Sequence, residues 1–358
     1  MAQVQSLSSL LKTGDDAFLN KQSNLSRINR VIAIVGFFTV FPIFLLVSYI
    51  RHYFFHSDHT FYAVFSKSRE GLVQRTASKT ALMVATVRYA GYREGWTNDS
   101  LARYFIPSDL ALAVDFMNPF RYPLSLMRFG SLMARTLSGD RLILNSHPRQ
   151  VILLGAGLDT RAHRLELPGN CRVFEIDIAT TQGLKKKIAE AHPDEFRGPV
   201  TYIPVDFSNE SFIDKLLQNK DFDPKCTETV VIFEGVSMYL PWEALKSTME
   251  MISHNLAEGT IVGMDVFDDY FTNESALKRE TGYSRGATRL AKHVGEPWLW
   301  GIPEGETAEG VFSPLGFEVY DAKAHDIENI FLTPRGASKP VGFVPGLVHY
   351  LVLRVQRQ

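Results

Sequence analysis

The sequence predicts an α/β fold in which helices cover both faces of a seven-stranded parallel sheet. From residue 150 onward, short apolar runs alternate with longer helical stretches, which is the pattern of βαβ units. The clearest strand is the apolar run at residues 151–154, which is followed at once by Gly155 and Gly157. Glycines at such a point allow a sharp turn and let a ligand come close to the backbone. The turn therefore marks a candidate nucleotide pocket at the carboxyl end of the first strand.

The predicted strands and helices follow one another in regular order. Strands are expected at residues 151–154, 172–176, 201–205, 229–233, 260–266, 317–320 and 347–355. Helices are expected between them at residues 180–191, 212–218 and 242–256. The long gap before the sixth strand predicts an insertion at about residues 268–308, which contains Trp298, Leu299 and Trp300. These side chains suit a lid over a hydrophobic ligand.

Composition excludes several classes of protein. Hydrophobic residues make up 45% of the 358-residue chain and charged residues 22%, which is typical of a folded globular protein. The net charge of −1 gives no global basic field, so no nucleic-acid partner is expected. Two cysteines, Cys171 and Cys226, are too few for a disulfide framework or a thiolate metal site, and no metal is predicted.

The first part of the chain is predicted to contain a membrane anchor. Residues 1–30 form a polar tail, and residues 31–50 run for 20 residues without a charge. A helix of that length spans about 30 Å, the thickness of a bilayer core, so we expect a transmembrane helix there. Residues 51–66 would form a linker, and residues 67–150 show the three-to-four spacing of apolar residues typical of a helical cap region. Residues 151–358 form the predicted ligand-binding domain.

An acidic residue stands at the end of each of the next three strands. The second strand ends in Glu175-Ile176-Asp177, about twenty residues after the glycine turn, where an acid accepts hydrogen bonds from ribose hydroxyls. Asp206 follows the third strand, and Glu234 follows the fourth. Because the carboxyl ends of parallel strands meet at one edge of the sheet, the three acids beside the glycine turn favour a bound nucleoside.

These motifs resemble those of a known family. Residues 151–165, 174–177, 205–207 and 233–241, with Ala134-Arg135-Thr136 upstream, resemble the leucine carboxyl methyltransferase family. The similarity is closest to its bacterial-type branch of S-adenosylmethionine-dependent O-methyltransferases, and it covers about residues 67–358. The resemblance implies a class I methyltransferase, Rossmann-like seven-stranded sheet with a helical N-terminal extension and a lid insertion. It also implies S-adenosylmethionine as the cofactor.

The resemblance assigns roles to residues around the adenosine part of the cofactor. Gly155 and Gly157 would let the cofactor lie against the first turn. Asp177 would hold the ribose hydroxyls. Asp206 and Phe207 would hold the adenine, with the acid accepting from its amino group and the ring packing on its face.

The resemblance also assigns the methionine end of the cofactor. Arg135 would pair with the methionine carboxylate, a bidentate contact that suits a guanidinium. Glu234 would lie beside the methionine amino group, and Lys79 is a looser match to a lysine near the carboxylate. Tyr239, five residues after Glu234, is the candidate catalytic residue because it is expected to face the methyl acceptor.

The predicted activity is O-methylation of a small, lipophilic molecule at a carboxylate or a hydroxyl group. The residues nominate no unmistakable base, which leans slightly towards a carboxylate, a group already ionised at pH 7, or an acidic enol. One alternative is an NAD-dependent Rossmann oxidoreductase, against which Thr160 replaces the third glycine of the dinucleotide motif. The other is a membrane-anchored, non-catalytic binding protein with a methyltransferase fold. No oligomeric state is predicted.

The location of the predicted catalytic domain follows from two opposing observations. Basic residues near residues 31–50 lean slightly towards a cytoplasmic N-terminus. However, Asn209 begins an Asn-x-Ser glycosylation sequon three residues after Asp206, where a glycan would crowd the adenine pocket. We therefore expect a single-pass membrane protein with a cytosolic catalytic domain.

Overall fold

The structure is a computed structural model. It describes residues 6–11, 79–117, 124–198, 200–207, 209–269, 272, 288, 292, 296–323 and 348–357. The predicted transmembrane helix at residues 31–50 and the linker at residues 51–66 lie outside the described residues, as do most of the polar tail and much of the insertion at residues 268–308. The predicted division of the chain into these regions stays a prediction.

The core of the fold is a seven-stranded sheet. Its strands are β1 (Gln150–Leu154), β2 (Arg172–Asp177), β3 (Val200–Pro204), β4 (Thr229–Phe233), β5 (Ile261–Phe267), β6 (Phe317–Lys323) and β7 (Val348–Val355). They lie in the order β3-β2-β1-β4-β5-β7-β6. The chain order reverses direction between β1 and β4, and that crevice is where open α/β sheets bind ligands.

The sheet is mixed rather than fully parallel. β1 to β5 pair in parallel, whereas β7 lies antiparallel between β5 and β6. The parallel sheet expected from the sequence is therefore corrected at β7. The apolar pattern of a buried strand is the same in both directions, so periodicity locates β7 but does not orient it.

The helices pack on both faces of the sheet. Within the described residues, the α-helices are α1 (Lys79–Arg93), α2 (Ser108–Met117), α3 (Leu124–Ser146), α4 (Arg161–Arg164), α5 (Ala179–Ala191), α6 (Phe212–Leu217), α7 (Trp242–Asn255) and α8 (Ala308–Phe312). Alternate residues of a strand point to opposite faces, so Ile152 joins the core on one face and Leu153 the core on the other. The α/β fold class with a seven-stranded sheet is confirmed.

The predicted membrane localisation is corrected. Among the residues that the structure describes, no helix is both long and apolar enough to cross a membrane. The longest described helix, α3, carries the charged residues Arg135, Asp140 and Arg141 on its later turns. By this finding, the predicted localisation as a single-pass membrane protein is wrong.

A buried histidine joins the two antiparallel strands at the sheet edge. His349 on β7 bonds through Nδ1 to Asp321 on β6, at 2.8 Å, and through Nε2 to Asp268, at 2.9 Å. Burial alone lowers the pKa of His349, but the hydrogen bonds and charges of the two carboxylates outweigh it and raise the pKa to about 9.

The hydrogen bonds of His349 to Asp321 and Asp268 predict a loss of stability at alkaline pH. The folded-state pKa of His349 lies above its ordinary value, so its contribution is complete below about pH 6.5 and is lost as the pH rises through about 9. Between pH 6 and pH 10 we expect the wild type to lose up to about 3 kcal/mol more free energy of unfolding than His349→Gln. Urea titrations at both pH values measure it.

Substitution of an exposed histidine provides the control. His254→Gln on α7 should show the pH dependence of the wild type. If the wild type and His349→Gln lost the same free energy of unfolding between pH 6 and pH 10, the raised pKa assigned to His349 would be refuted.

Candidate functional site

The glycine turn after β1 has backbone angles that favour glycine. Gly155 has φ +64° and Gly157 has φ +48°, both in the left-handed region. A Cβ atom at Gly155 would lie 2.3 Å from Cγ2 of Val236, so no larger residue fits. The amide of Gly157 donates to Asp177 Oδ2 at 2.5 Å, which fixes the turn to the end of β2. The structure therefore brings Gly155, Gly157 and Asp177 together, and their contacts with a cofactor stay a prediction.

The two acids at the end of β2 have different environments. The carboxylate of Asp177 is half-buried at the end of β2 and accepts hydrogen bonds from the backbone N–H groups of Gly157 and Ile178. Burial raises its pKa in spite of these bonds. Glu175 is fully buried, and its Oε2 lies 2.6 Å from Nζ of Lys185, which is also fully buried. Burial raises the pKa of Glu175 to about 7. Only Asp177 is placed to contact a ligand.

Arg135 lies beside the ends of β4 and β5. Its Nε is 3.0 Å from Oε1 of Glu234, and its Nη1 is 2.8 Å from Oδ2 of Asp265. The other oxygen of Asp265 accepts the backbone N–H of Gly235 at 2.6 Å. Burial lowers the pKa of Arg135, but the charges of Asp265 and Glu234 outweigh this and raise the pKa above its ordinary value. Arg135 and Glu234, predicted to share the methionine end of the cofactor, are thus in direct contact.

Arg161 holds the second oxygen of Glu234. Its Nη2 lies 2.7 Å from Oε2 of Glu234, its Nε lies 2.8 Å from Oδ1 of Asp140, and its Nη1 lies 2.6 Å from Oδ2 of Asp159. The Arg161 side chain is 3% exposed. It is the first residue of α4, so it connects the segment after the glycine turn to α3 and to the end of β4.

These contacts continue into a larger cluster, which we call the arginine–carboxylate network. Arg164 bonds to both oxygens of Asp140, at 2.6 and 2.7 Å, and Arg88 lies 3.4 Å from Asp99. The network comprises Arg88, Arg135, Arg161, Arg164, Asp99, Asp140, Asp159, Glu234 and Asp265. Buried charges are tolerated only when paired, so each member depends on its partners.

The residues predicted to hold adenine follow β3. Asp206 is exposed, and its Oδ2 accepts a hydrogen bond from Asn209 Nδ2 at 3.0 Å. Phe207 is half-buried, with its ring centre 6.1 Å from that of Phe212. Lys79 is the first residue of α1, but its side chain lies outside the described part of the chain.

Tyr239 lies where the insertion meets the sheet. It ends the short 3-10 helix Ser237–Tyr239, and its hydroxyl lies beside the side chains of Thr80 and Trp298. Burial raises the pKa of Tyr239 above its ordinary value. The ring of Trp298 packs edge-on against Phe267 at the end of β5, with 4.8 Å between ring centres.

Sequence reasoning missed several residues of this site. Asp265 lies inside an apolar strand and was not predicted as a site residue. A single acid in such a strand nevertheless indicates a buried partner of opposite charge. Asp140 on α3 and Glu296 in the insertion belong to no local sequence motif, so the sequence did not indicate them. Lys185, one of three consecutive lysines on α5, is indistinguishable in sequence from a solvated residue.

The arrangement suits a nucleoside with a charged amino-acid end. The turn at Gly155 and Gly157 lies beside the half-buried carboxylate of Asp177, which offers oxygens as hydrogen-bond acceptors. Arg135 and Glu234 offer a cation and an anion side by side. Among the described residues, no group of three or more His, Cys, Asp or Glu side chains is placed to hold a metal ion.

Residues 80–253 match the family model of leucine carboxyl methyltransferase. A candidate S-adenosyl-L-methionine-dependent methyltransferase of Frankia alni is 34% identical over 137 residues, which cover 37% of this chain and 47% of the relative. A protein of the same description from Mycolicibacterium paratuberculosis is 28% identical over 226 residues, covering 58% of this chain and 71% of the relative. The chain thus spans less than half the length of the Frankia alni relative.

Among solved structures, a DUF574-family protein of Streptomyces avermitilis aligns with 80% of this chain and 100% of its own. The identity is 13% and the TM-score 0.48, a likeness too low to inform function.

The network predicts a large loss of stability when its central cation is removed. Arg161→Gln removes the ion-pair partner of Asp159 and one of the two arginines that hold Asp140 and Glu234, so we expect the free energy of unfolding to fall by about 3–5 kcal/mol. Arg172→Gln, whose side chain is 55% exposed, is the matched control and should change stability by less than about 0.5 kcal/mol. Urea titration at pH 7 measures both, and equal stabilities of the two variants would refute the role given to Arg161.

Proposed function

We propose that this chain, whose residues 80–253 match the leucine carboxyl methyltransferase family model, transfers a methyl group from S-adenosylmethionine to an oxygen atom of a small, lipophilic molecule. The family and its cofactor are those expected from the sequence. The observation that carries the proposal is the pairing of Arg135 with Glu234 beside the Gly155 turn, because it offers charge partners for an amino acid next to a nucleoside-binding turn.

The adenosine part of the cofactor is assigned to the ends of β1, β2 and β3. Gly155 and Gly157 would lie against it, and Asp177 would accept hydrogen bonds from its ribose hydroxyls. A carboxylate has about four acceptor sites, so the two backbone N–H groups on Asp177 leave capacity for a ribose. Asp206 and Phe207 would hold the adenine.

The methionine part is assigned to Arg135, Glu234 and Lys79. The guanidinium of Arg135 has five N–H donors, more than its bonds to Glu234 and Asp265 use, so it can still bind a carboxylate. Glu234 is fixed from both sides by Arg135 and Arg161, which sets its orientation before an ammonium group binds. Preorganisation of this kind reduces the free-energy cost of binding.

The cofactor, when bound, supplies an electrophilic methyl group on a sulfonium. The protein contributes chiefly position, since holding donor and acceptor in line accounts for much of the rate of such a displacement. Tyr239 would face the acceptor from the 3-10 helix beside Glu234. Trp298 and Phe267 would supply apolar contact, which favours a lipophilic acceptor.

Neither alternative activity is favoured. The dinucleotide motif lacks its third glycine, and Thr160 at that position is fully buried with its hydroxyl bonded to Asp99 at 2.8 Å. The match of residues 80–253 to the methyltransferase family model does not favour a non-catalytic binding protein.

Calorimetric titration tests the proposal. The wild type should bind S-adenosylmethionine and show no binding of NAD. Asp177→Ala should lower the affinity for S-adenosylmethionine at least tenfold, because hydrogen bonds to a charged acceptor contribute about 1.5–3 kcal/mol. Asp194→Ala, whose side chain is 92% exposed, should bind as the wild type does. Absence of S-adenosylmethionine binding by the wild type would contradict the proposed function.

A further inference from the structure

Asp265 on β5 contacts three parts of the predicted methionine end of the site. Its side chain is 1% exposed. Its Oδ2 accepts a hydrogen bond from Nη1 of Arg135 at 2.8 Å, and its Oδ1 accepts one from the backbone N–H of Gly235 at 2.6 Å. Its backbone oxygen accepts a hydrogen bond from the hydroxyl of Ser237 at 2.5 Å. Because both carboxylate oxygens are bonded to protein groups, Asp265 acts on a ligand through Arg135 rather than by touching it.

Arg135 keeps one of its nitrogens open. Its Nε donates to Glu234 and its Nη1 to Asp265, whereas Nη2 has no hydrogen-bond partner among the residues that the structure describes. A Cβ at Gly235 would lie 3.4 Å from Nη2, so the glycine leaves this nitrogen uncrowded. The Arg135 side chain is 10% exposed. The N–H groups of Nη2 are therefore the donors that a ligand carboxylate would use.

The charge of Arg135 is compensated before any ligand binds. Glu234 lies 3.0 Å and Asp265 lies 2.8 Å from its guanidinium, and Arg161 lies 2.7 Å from Glu234. These four side chains carry two positive and two negative formal charges. The whole arginine–carboxylate network has four guanidinium groups and five carboxylates, a formal charge of −1. A cluster with this charge does not attract an isolated anion, although an uncompensated arginine would.

We propose that Asp265 determines the specificity of this end of the site, which selects a zwitterionic amino-acid group over a ligand that carries only a carboxylate. This inference rests on the proposed methyltransferase function and concerns the methionine end of its cofactor. By holding Nη1, Asp265 fixes the guanidinium of Arg135 and also cancels its charge. A carboxylate at Nη2 then depends on an ammonium beside it at Glu234. A zwitterion meets both partners and adds no net charge to the cluster.

Two substitutions separate the charge of Asp265 from its hydrogen bonds. Asp265→Asn keeps one oxygen as an acceptor for Gly235 or Arg135 but removes the negative charge. The cluster then becomes more favourable for a ligand carboxylate and less favourable for a ligand ammonium. Asp265→Glu keeps the charge on a longer side chain. Because loss of charge acts with opposite sign on the two ligand groups, the ratio of their affinities reports the charge, whereas structural damage lowers both affinities.

Calorimetric titration with S-adenosylhomocysteine and two of its analogues tests the proposal. The decarboxylated analogue keeps only the ammonium, and the deaminated analogue keeps only the carboxylate. The wild type should bind S-adenosylhomocysteine most tightly and the deaminated analogue least tightly. In Asp265→Asn, the ratio of the two analogues' affinities should shift by about tenfold or more towards the deaminated analogue, because a charge a few ångströms away has been removed.

Two further variants control for shape and for total charge. Asp265→Glu should keep the ratio of the wild type, and so should Asp194→Asn, which removes an acid whose side chain is 92% exposed. If Asp265→Asn lowered both affinities equally, Asp265 would have a structural role only. A wild type that prefers the deaminated analogue to the decarboxylated one would overturn the proposal even if Asp265→Asn did not fold. A wild type that binds neither S-adenosylmethionine nor S-adenosylhomocysteine would instead refute the proposed function.

Discussion

The site depends on the attachment of Glu234 to two buried guanidinium groups. Arg135 and Arg161 each hold one oxygen of this carboxylate, and each reaches another part of the fold through its remaining nitrogens. Arg135 joins β5 through Asp265, and Arg161 joins α3 through Asp140. Because an unpaired buried charge is so costly, these contacts depend on one another, and they fix the end of β4 relative to its neighbours.

The same constraint explains why the small residues around Glu234 are small. A Cβ at Gly139 would lie 2.7 Å from Nη2 of Arg161, and one at Gly235 would lie 3.3 Å from Nη1 of Arg135. Gly235 also has φ +72°, so it turns the chain sharply after β4 and points its N–H at Asp265. The charged pairs thus set the backbone on which Val236 closes against the Gly155 turn.

The sequence was most informative where structure is local. The apolar run of β1, the glycines after it and the acid at the end of β2 lie close together in the chain, and periodicity with turn chemistry locates them. The direction of β7, and the pairing of Arg161 with Asp140 and Glu234, depend on which distant segments meet. Glu296 was missed for that reason, since only the folded chain brings it to Thr80. The charge-free run at residues 31–50 predicted a localisation that the described helices contradict.

The most direct test of the account compares two ligands in Glu234→Gln. S-Adenosylmethionine carries the amino-acid end that Glu234 and Arg135 are proposed to bind, whereas 5′-methylthioadenosine lacks it. Calorimetry should show that Glu234→Gln lowers the affinity for S-adenosylmethionine at least tenfold. The affinity for 5′-methylthioadenosine should stay within threefold of that of the wild type. If the affinities for both ligands fell equally, or if neither fell, the placement of the methionine end beside the arginine–carboxylate network would be contradicted.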